Sequence, residues 1–227
     1  MKYLNFIVEG HTEESFVNNV LVNHFLAYDI FVKVRKIQTG WDRFNKKPAK
    51  GGLRKYSQFR NDVLRWIESD KNNSEFWYTS MIDLYSFPKG KSSPYKRSIQ
   101  TINDPYRKIL ELEKSIYDDI GHEKFIPYVQ LHEFESLLLV DPDRLELMYP
   151  DSKPKITLLK NNISHGRPEE INESKLTAPS KRIIKYIPEY ENEKAQVGPL
   201  IAEDIGLSIL RMNCPHFDEW IKKLEKI

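Results

Sequence analysis

Three apolar runs end in acids, where chemistry is easiest to build. Glu9 follows the apolar run Tyr3 to Val8, Asp83 closes the run Phe76 to Ile82, and Glu133 with Glu135 follows Phe125 to Leu131. Each run reads as a strand, and in open α/β sheets ligands bind outside the carboxyl ends of the strands. Carboxylates gathered there repel one another unless a cation neutralises them, and a hard divalent ion with oxygen ligands is the usual solution. Mg²⁺ or Mn²⁺ in such a site would orient a phosphate and activate water for phosphodiester attack. Taken singly, each acid reads equally well as a helix cap or a surface charge.

Basic residues flank these acids. Between Lys33 and Lys55 there are nine Lys or Arg residues against one acid, Asp42, although the whole chain carries a net charge of only +2. Arg43, Lys46, Lys47, Lys50, Arg54 and Lys55 lie there with Trp41 and Phe44, and Lys89, Lys91, Lys96 and Arg97 follow Asp83. Cations mixed with aromatics can grip a phosphate backbone and stack exposed bases. Such charge runs are as often plain solvated surface. His132 beside Glu133 is a candidate proton shuttle or metal ligand, or a structural hydrogen-bond donor. Cys214, the single cysteine, reads as a buried structural residue, because adjacency to His216 supplies neither the geometry nor the lowered thiol pKa of a nucleophile.

The elements that must position these groups follow from periodicity. After the first strand, Phe16, Val17, Val20, Leu21 and Phe25 recur at helical spacing, with Thr12 as the expected N-cap. A second strand fits Ile30 to Ile37, a long loop Thr39 to Lys55, and an amphipathic helix the stretch around Tyr56, Phe59, Val63, Trp66 and Ile67. Asn103 or Asp104 with Pro105 starts a helix whose expected buried stripe is Tyr106, Ile109, Leu110, Ile116, Tyr117 and Ile120. The apolar Leu137 to Val140 reads as the opening of a helix stopped near Asp141 and Pro142. From Pro154 onward the pattern is helical: Lys155 to Asn161, Pro179 to Tyr186, Val197 to Leu210 and Phe217 to Leu224.

Strands alternating with helices predict an α/β fold, a mostly parallel sheet flanked by helices. The expected organisation is a core over residues 1–150 and a C-terminal helical layer over 151–227, packed together as one structural unit. At 227 residues and 40% hydrophobic, the chain can bury a core without a staple. No apolar run approaches the roughly 20 residues that cross a bilayer, and the N-terminus leads straight into a strand, so a soluble cytoplasmic protein with no membrane partner is expected. There is no zinc-type spacing, nucleophile elbow, Walker loop or dinucleotide fingerprint.

The stretch Val8-Glu9-Gly10-His11-Thr12-Glu13-Glu14-Ser15-Phe16 resembles the first motif of Toprim domains, particularly those of OLD-type nucleases. In that family a Glu ends the first strand, matched by Glu9, and a second acid follows on the helix, matched by Glu13. The next motif, an Asp-x-Asp pair, is met by Asp83 alone, since Tyr85 stands at the second position. Over nearly its full length the chain also resembles a bacterial family of small Toprim-like proteins of unknown function, often found beside AAA or ABC-type ATPase genes in mobile or defence islands. The matching stretches are Val8 to Phe16, Met81 to Pro88, Tyr128 to Asp141, Ala178 to Arg182 and Gly198 to Trp220.

The resemblance implies a Toprim-like core and Mg²⁺- or Mn²⁺-dependent cleavage of DNA or RNA, with Glu9, Glu13, Asp83, Glu133 and Glu135 around the metal. It implies a charge-stabilising lysine, for which Lys181 is the candidate, although Lys181 also reads as an ordinary residue in the first turns of a helix. Arg43, Lys46, Lys47, Arg54, Lys55, Lys89, Lys91 and Arg182 are the expected nucleic-acid contacts. The alternative is a Toprim-like module that has lost catalysis and serves an ATPase partner. A third, weaker reading is hydrolysis of a small phosphate ester.

Overall fold

The computed structural model describes residues 1–42, 47–50, 52–163, 166–171 and 177–227, with backbone alone for 39–42 and 47–50. In chain order the regular elements are β1 (Lys2–Val8), α1 (His11–Phe16), α2 (Val22–Leu26), β2 (Ile30–Lys36), β3 (Gln38–Asp42), β4 (Lys47–Lys50), α3 (Tyr56–Ser69), β5 (Phe76–Asp83), α4 (Arg97–Gln100), α5 (Pro105–Ile120), β6 (Phe125–Ile126), β7 (Val129–Gln130), α6 (Lys153–Ile163), α7 (Pro179–Tyr186), α8 (Tyr190–Ile205), α9 (Leu207–Asn213) and α10 (Pro215–Leu224). A π-helical turn, Val17–Leu21, joins α1 to α2. Short 3-10 turns fill the stretch from Phe134 to Ser152.

The sheet runs β2-β1-β5-β6, with β7 pairing further along β5, and all these pairs are parallel. β1 reads as almost uninterrupted apolar sequence because both its faces are covered. Leu4, Phe6 and Val8 enter one hydrophobic cluster with α1 and helices α8 to α10, while Ile7 enters another with α3 and α5. The chain passes from β1 to β2 by way of α1 on one face and from β2 across to β5 by way of α3 on the other, as right-handed crossovers require. The direction of winding therefore reverses between β1 and β5, and their carboxyl ends open a crevice at the reversal.

The single strand expected over Phe125 to Leu131 is two, because Pro127 has no N–H to give the ladder. Ser80 closes the gap: its hydroxyl donates to the Tyr128 carbonyl and accepts from the Tyr128 N–H, both at 3.0 Å. The long loop expected over Thr39 to Lys55 contains an antiparallel hairpin, β3 with β4. Gly10, not Thr12, is the N-cap of α1, because the Glu13 carboxylate reaches back 2.7 Å to accept the Gly10 N–H. Along α5, Leu110 and Tyr117 face outward, and Leu112 and Glu113 take the buried places. The continuous helix expected over Val197 to Leu210 breaks at Gly206, whose φ of 87° interrupts it between α8 and α9.

Core residues of the C-terminal helices share one cluster with β1 and α1. Trp220 is central to that joint. Its ring stacks on Tyr128 at 4.0 Å between centroids, its edge meets Phe6, and its indole N–H donates to the Thr79 hydroxyl at 2.9 Å. Among the described residues no helix is long and apolar enough to cross a membrane.

Replacing Trp220 with Ala removes a fully packed aromatic and is expected to cost about 3–5 kcal/mol in chemical denaturation. Trp220→Phe, which keeps most of the packing and loses the bond to Thr79, should cost clearly less. Equal losses from the two variants would show that the hydrogen bond, not the packing, holds the C-terminal helices to the sheet.

Candidate functional site

The crevice collects the acids that the strand ends carry. Glu9 leaves β1 with its N–H bonded to the Met81 carbonyl at 3.1 Å, which sets it beside the end of β5. Its carboxylate accepts the N–H groups of Leu53 and Asp83, both at 3.2 Å, and the Ser86 hydroxyl at 2.8 and 2.9 Å. Three chain segments are thus tied to one side chain: the end of the basic hairpin loop, the end of β5 and the loop beyond it. A Cβ on Gly10 would stand 3.1 Å from Glu13 Oε2, so the Glu13 carboxylate would have to give by a few tenths of an ångström.

His132 bends the chain after β7 with a φ of 66°, a left-handed conformation uncommon for a residue with a side chain. The bend delivers Glu133 and Glu135 toward the same crevice, and Tyr85 donates its N–H to the His132 carbonyl at 3.0 Å. Glu133 Oε2 accepts the Ser180 N–H at 3.0 Å, in the first turn of α7 where the helix end is positive. Glu135 is buried, meets the Tyr190 hydroxyl at 3.4 Å and pairs with Lys194 at 3.7 Å.

The electrostatics show how close these groups are. Burial first, then repulsion from Glu13, Glu9, Glu135 and Glu133, holds the Asp83 carboxyl well above the ordinary range. Burial and then Glu9 push Glu13 up to about 7, against the lowering effect of the backbone N–H groups that it accepts. Burial also raises Glu135, with Lys194 opposing and Glu133 adding. His132, lowered to about 4 by burial and then by Lys108, is neutral at pH 7.

Asp83 Oδ1 is buried and has no hydrogen-bond partner. An orphaned carboxylate oxygen in a nest of other carboxylates is a costly arrangement for a chain with nothing to put there. All the donors are oxygens, which fits a hard divalent cation such as Mg²⁺ or Mn²⁺. Among the described residues no three His, Cys, Asp or Glu side chains converge on one ion position as they stand.

A family model described as a domain of unknown function, DUF4276, matches residues 8–225. The chain belongs to the DUF4276 family. No curated protein and no solved structure matches it, and membership of this family assigns no activity. The model's span takes in both the acidic crevice and the C-terminal helices of this DUF4276 chain.

The other expected site residues divide. Arg54 and Lys55 are exposed beside the Leu53 N–H that binds Glu9, and Lys89 and Lys91 are exposed beyond Ser86. Arg43 and Lys46 lie outside the described residues, as do the side chains of Lys47, Lys50 and Trp41, and Phe44. Two assignments need correction. Arg182 is buried, with its guanidinium on the Thr177 carbonyl and on Asn162, where it holds the approach to α7 against α6 and presents no open face to a phosphate. Lys181 is half exposed and pairs with Glu191 at 3.4 Å, and among the described residues no ion pair joins it to the crevice acids. The lysine at the acids is Lys194. Sequence reasoning missed it, with Tyr190, because it began this helix at Val197, and missed Ser86, whose only signal is its place three residues beyond Asp83.

The raised carboxyls make a stability prediction for the ion-free protein. A folded pKa above the unfolded one means that the native state holds the extra proton, so stability is full below about pH 4.5 and falls as pH rises toward about 7, the folded value of Glu13. Glu13→Gln should be more stable than the parent at pH 8 in EDTA and should flatten this pH dependence, as read from denaturation midpoints at pH 5 and 8. A parent that is equally stable at both values would contradict the repulsion argued here.

Proposed function

We propose that this protein is a Mg²⁺- or Mn²⁺-dependent nuclease whose centre is Glu9, Glu13 and Asp83, completed by Glu133 or Glu135, in the manner that its resemblance to Toprim domains of OLD-type nucleases implies. The observation that carries the reading is the unpartnered, buried Asp83 Oδ1 among four further carboxylates at the reversal point of the sheet. Among the described residues no three of these groups converge on one ion position, so a bound ion would require the carboxylates to close on it.

Bound there, a divalent ion would polarise a phosphate and lower the pKa of water. The chain's own part is positional. Glu9 is fixed by Leu53, Asp83 and Ser86, so its charge cannot swing away from the crevice. Glu133 is fixed by the N-terminal turn of α7, and Lys194 supplies the positive charge that the resemblance assigns to a lysine. Arg54, Lys55, Lys89 and Lys91 would hold the backbone of the DNA or RNA on either side.

A second reading, a catalytically silent module that works with a partner ATPase, has its own support. Tyr85 occupies the position where the resembled motif has a second Asp, and it is 43% exposed at the crevice mouth.

The two readings separate in one set of measurements. For the nuclease, Mg²⁺ or Mn²⁺ should raise the melting temperature of the parent at pH 8 and leave Asp83→Asn unmoved. Supercoiled plasmid, single-stranded DNA or structured RNA should be cut by the parent in a metal-dependent way, with Glu9→Gln at least about 100-fold slower, as loss of a metal-holding carboxylate commonly costs several kcal/mol of transition-state stabilisation. Cleavage by Glu9→Gln at the parent's rate would sink the assignment. No metal-induced shift and no cleavage would favour the silent module.

A further inference from the structure

Beyond Ser86 the chain makes an irregular excursion before α5, and its outer side forms an open concavity of about 540 Å³. Lys89, Lys91, Lys96 and Arg97 line it together with Gln100 and Thr101, and no carboxylate does. All four cations are exposed. Elsewhere the chain pairs its surface cations readily, as in Arg60 with Asp119, Arg144 with Asp141 and Asp204, and Lys222 with Asp218. Among the described residues none of these four makes an ion pair with a carboxylate.

The cations are mounted on a fixed frame. Phe87, Tyr95 and Ile99 are buried in the core cluster beneath, with the Phe87 and Tyr95 rings edge to face at 5.9 Å. The Ser115 hydroxyl donates to the Pro94 carbonyl at 3.1 Å, and the Gln100 amide donates to the Tyr95 carbonyl at 2.6 Å. Lys89 rests over the Tyr95 ring at 5.7 Å. Four unpaired positive charges held together on a rigid backbone repel one another, and an anion with several charges relieves that cost. The same loop reaches the acidic crevice through the Ser86 hydroxyl on Glu9.

We infer that this concavity holds consecutive backbone phosphates of a single nucleic-acid strand and leads that strand to the carboxylate crevice. The inference rests on the nuclease reading for the fate of the bound strand, while binding itself needs no divalent ion. A strand fits better than a free phosphate ester, because the charges are spread along the concavity and the lining acceptors and donors that would read a particular base or sugar are few.

The test is binding of a fluorescently labelled oligonucleotide, DNA and RNA in turn, to the full chain in EDTA, followed by anisotropy. The triple variant Lys89→Gln, Lys91→Gln, Arg97→Gln should bind on the order of ten-fold or more weakly in about 0.1 M salt, and its slope of log K against log salt should be shallower by about two. A control triple variant of equal charge, Lys71→Gln, Lys114→Gln, Lys153→Gln, should stay close to the parent. Equal affinity and slope for the first variant, or an equal loss in the control, would overturn the inference. So would displacement of the strand by inorganic phosphate or ATP at matched nucleotide concentration, which would assign the concavity to a small phosphate ester. A parent that binds the strand as expected and never cuts would end the nuclease reading and leave the strand-binding assignment standing.

Discussion

Everything in this molecule that points to function depends on carboxylates held closer together than their charges allow. Burial and the neighbouring carboxylates hold Asp83, Glu13 and Glu135 above the ordinary range, with Glu9 and Glu133 among the charges that do so. The constraint comes from the sheet. β1 and β5 are neighbours in parallel register, Val8 opposite Met81, so the residues that leave their carboxyl ends must emerge side by side. The stability lost to this repulsion is offset by two hydrophobic clusters, one on each face, that hold the strands regardless of what their ends carry.

The second-half helices are part of that constraint. Glu133 is steadied by the first turn of α7, and Glu135 by Tyr190 and Lys194 of α8. α8 in turn packs with α1 in one hydrophobic cluster, and a Cβ on Gly198 would meet the Thr12 methyl group at 3.7 Å, ordinary contact distance. The helix that carries Glu13 and the helix that carries Lys194 are therefore held by the same core. A core that ended near residue 150 would leave Glu133 and Glu135 without these partners.

Much of the scaffold was legible because its signals are local. Continuous apolar runs mark β1 and β5, Asp104 with Pro105 marks the start of α5, where the Asp104 side chain accepts the Arg107 N–H, and Pro179 marks the start of α7. Acids at strand ends could be named for the same reason. Orientation was not legible. Lys181 and Arg182 sit on the helix whose first turn binds Glu133, yet one turns to Glu191 and the other into the protein, because the direction of a side chain around a helix is set by packing. Lys194 approaches Glu135 from almost 60 residues away in sequence, a distance across which no spacing rule operates.

The position of Tyr85 bears on how much catalysis this arrangement could support. In the resembled motif an acid stands there; here the backbone N–H of Tyr85 is bonded to the His132 carbonyl, and that bond anchors the left-handed bend that brings Glu133 round. Because His132 is neutral at pH 7, its ring adds no positive charge to offset the acids, and among the described residues Lys194 is the cation paired with one of them. One lysine cannot balance five charged carboxylates, so the raised Asp83, Glu13 and Glu135 hold protons where charge would repel, and Asp83 Oδ1 stays buried without a hydrogen-bond partner.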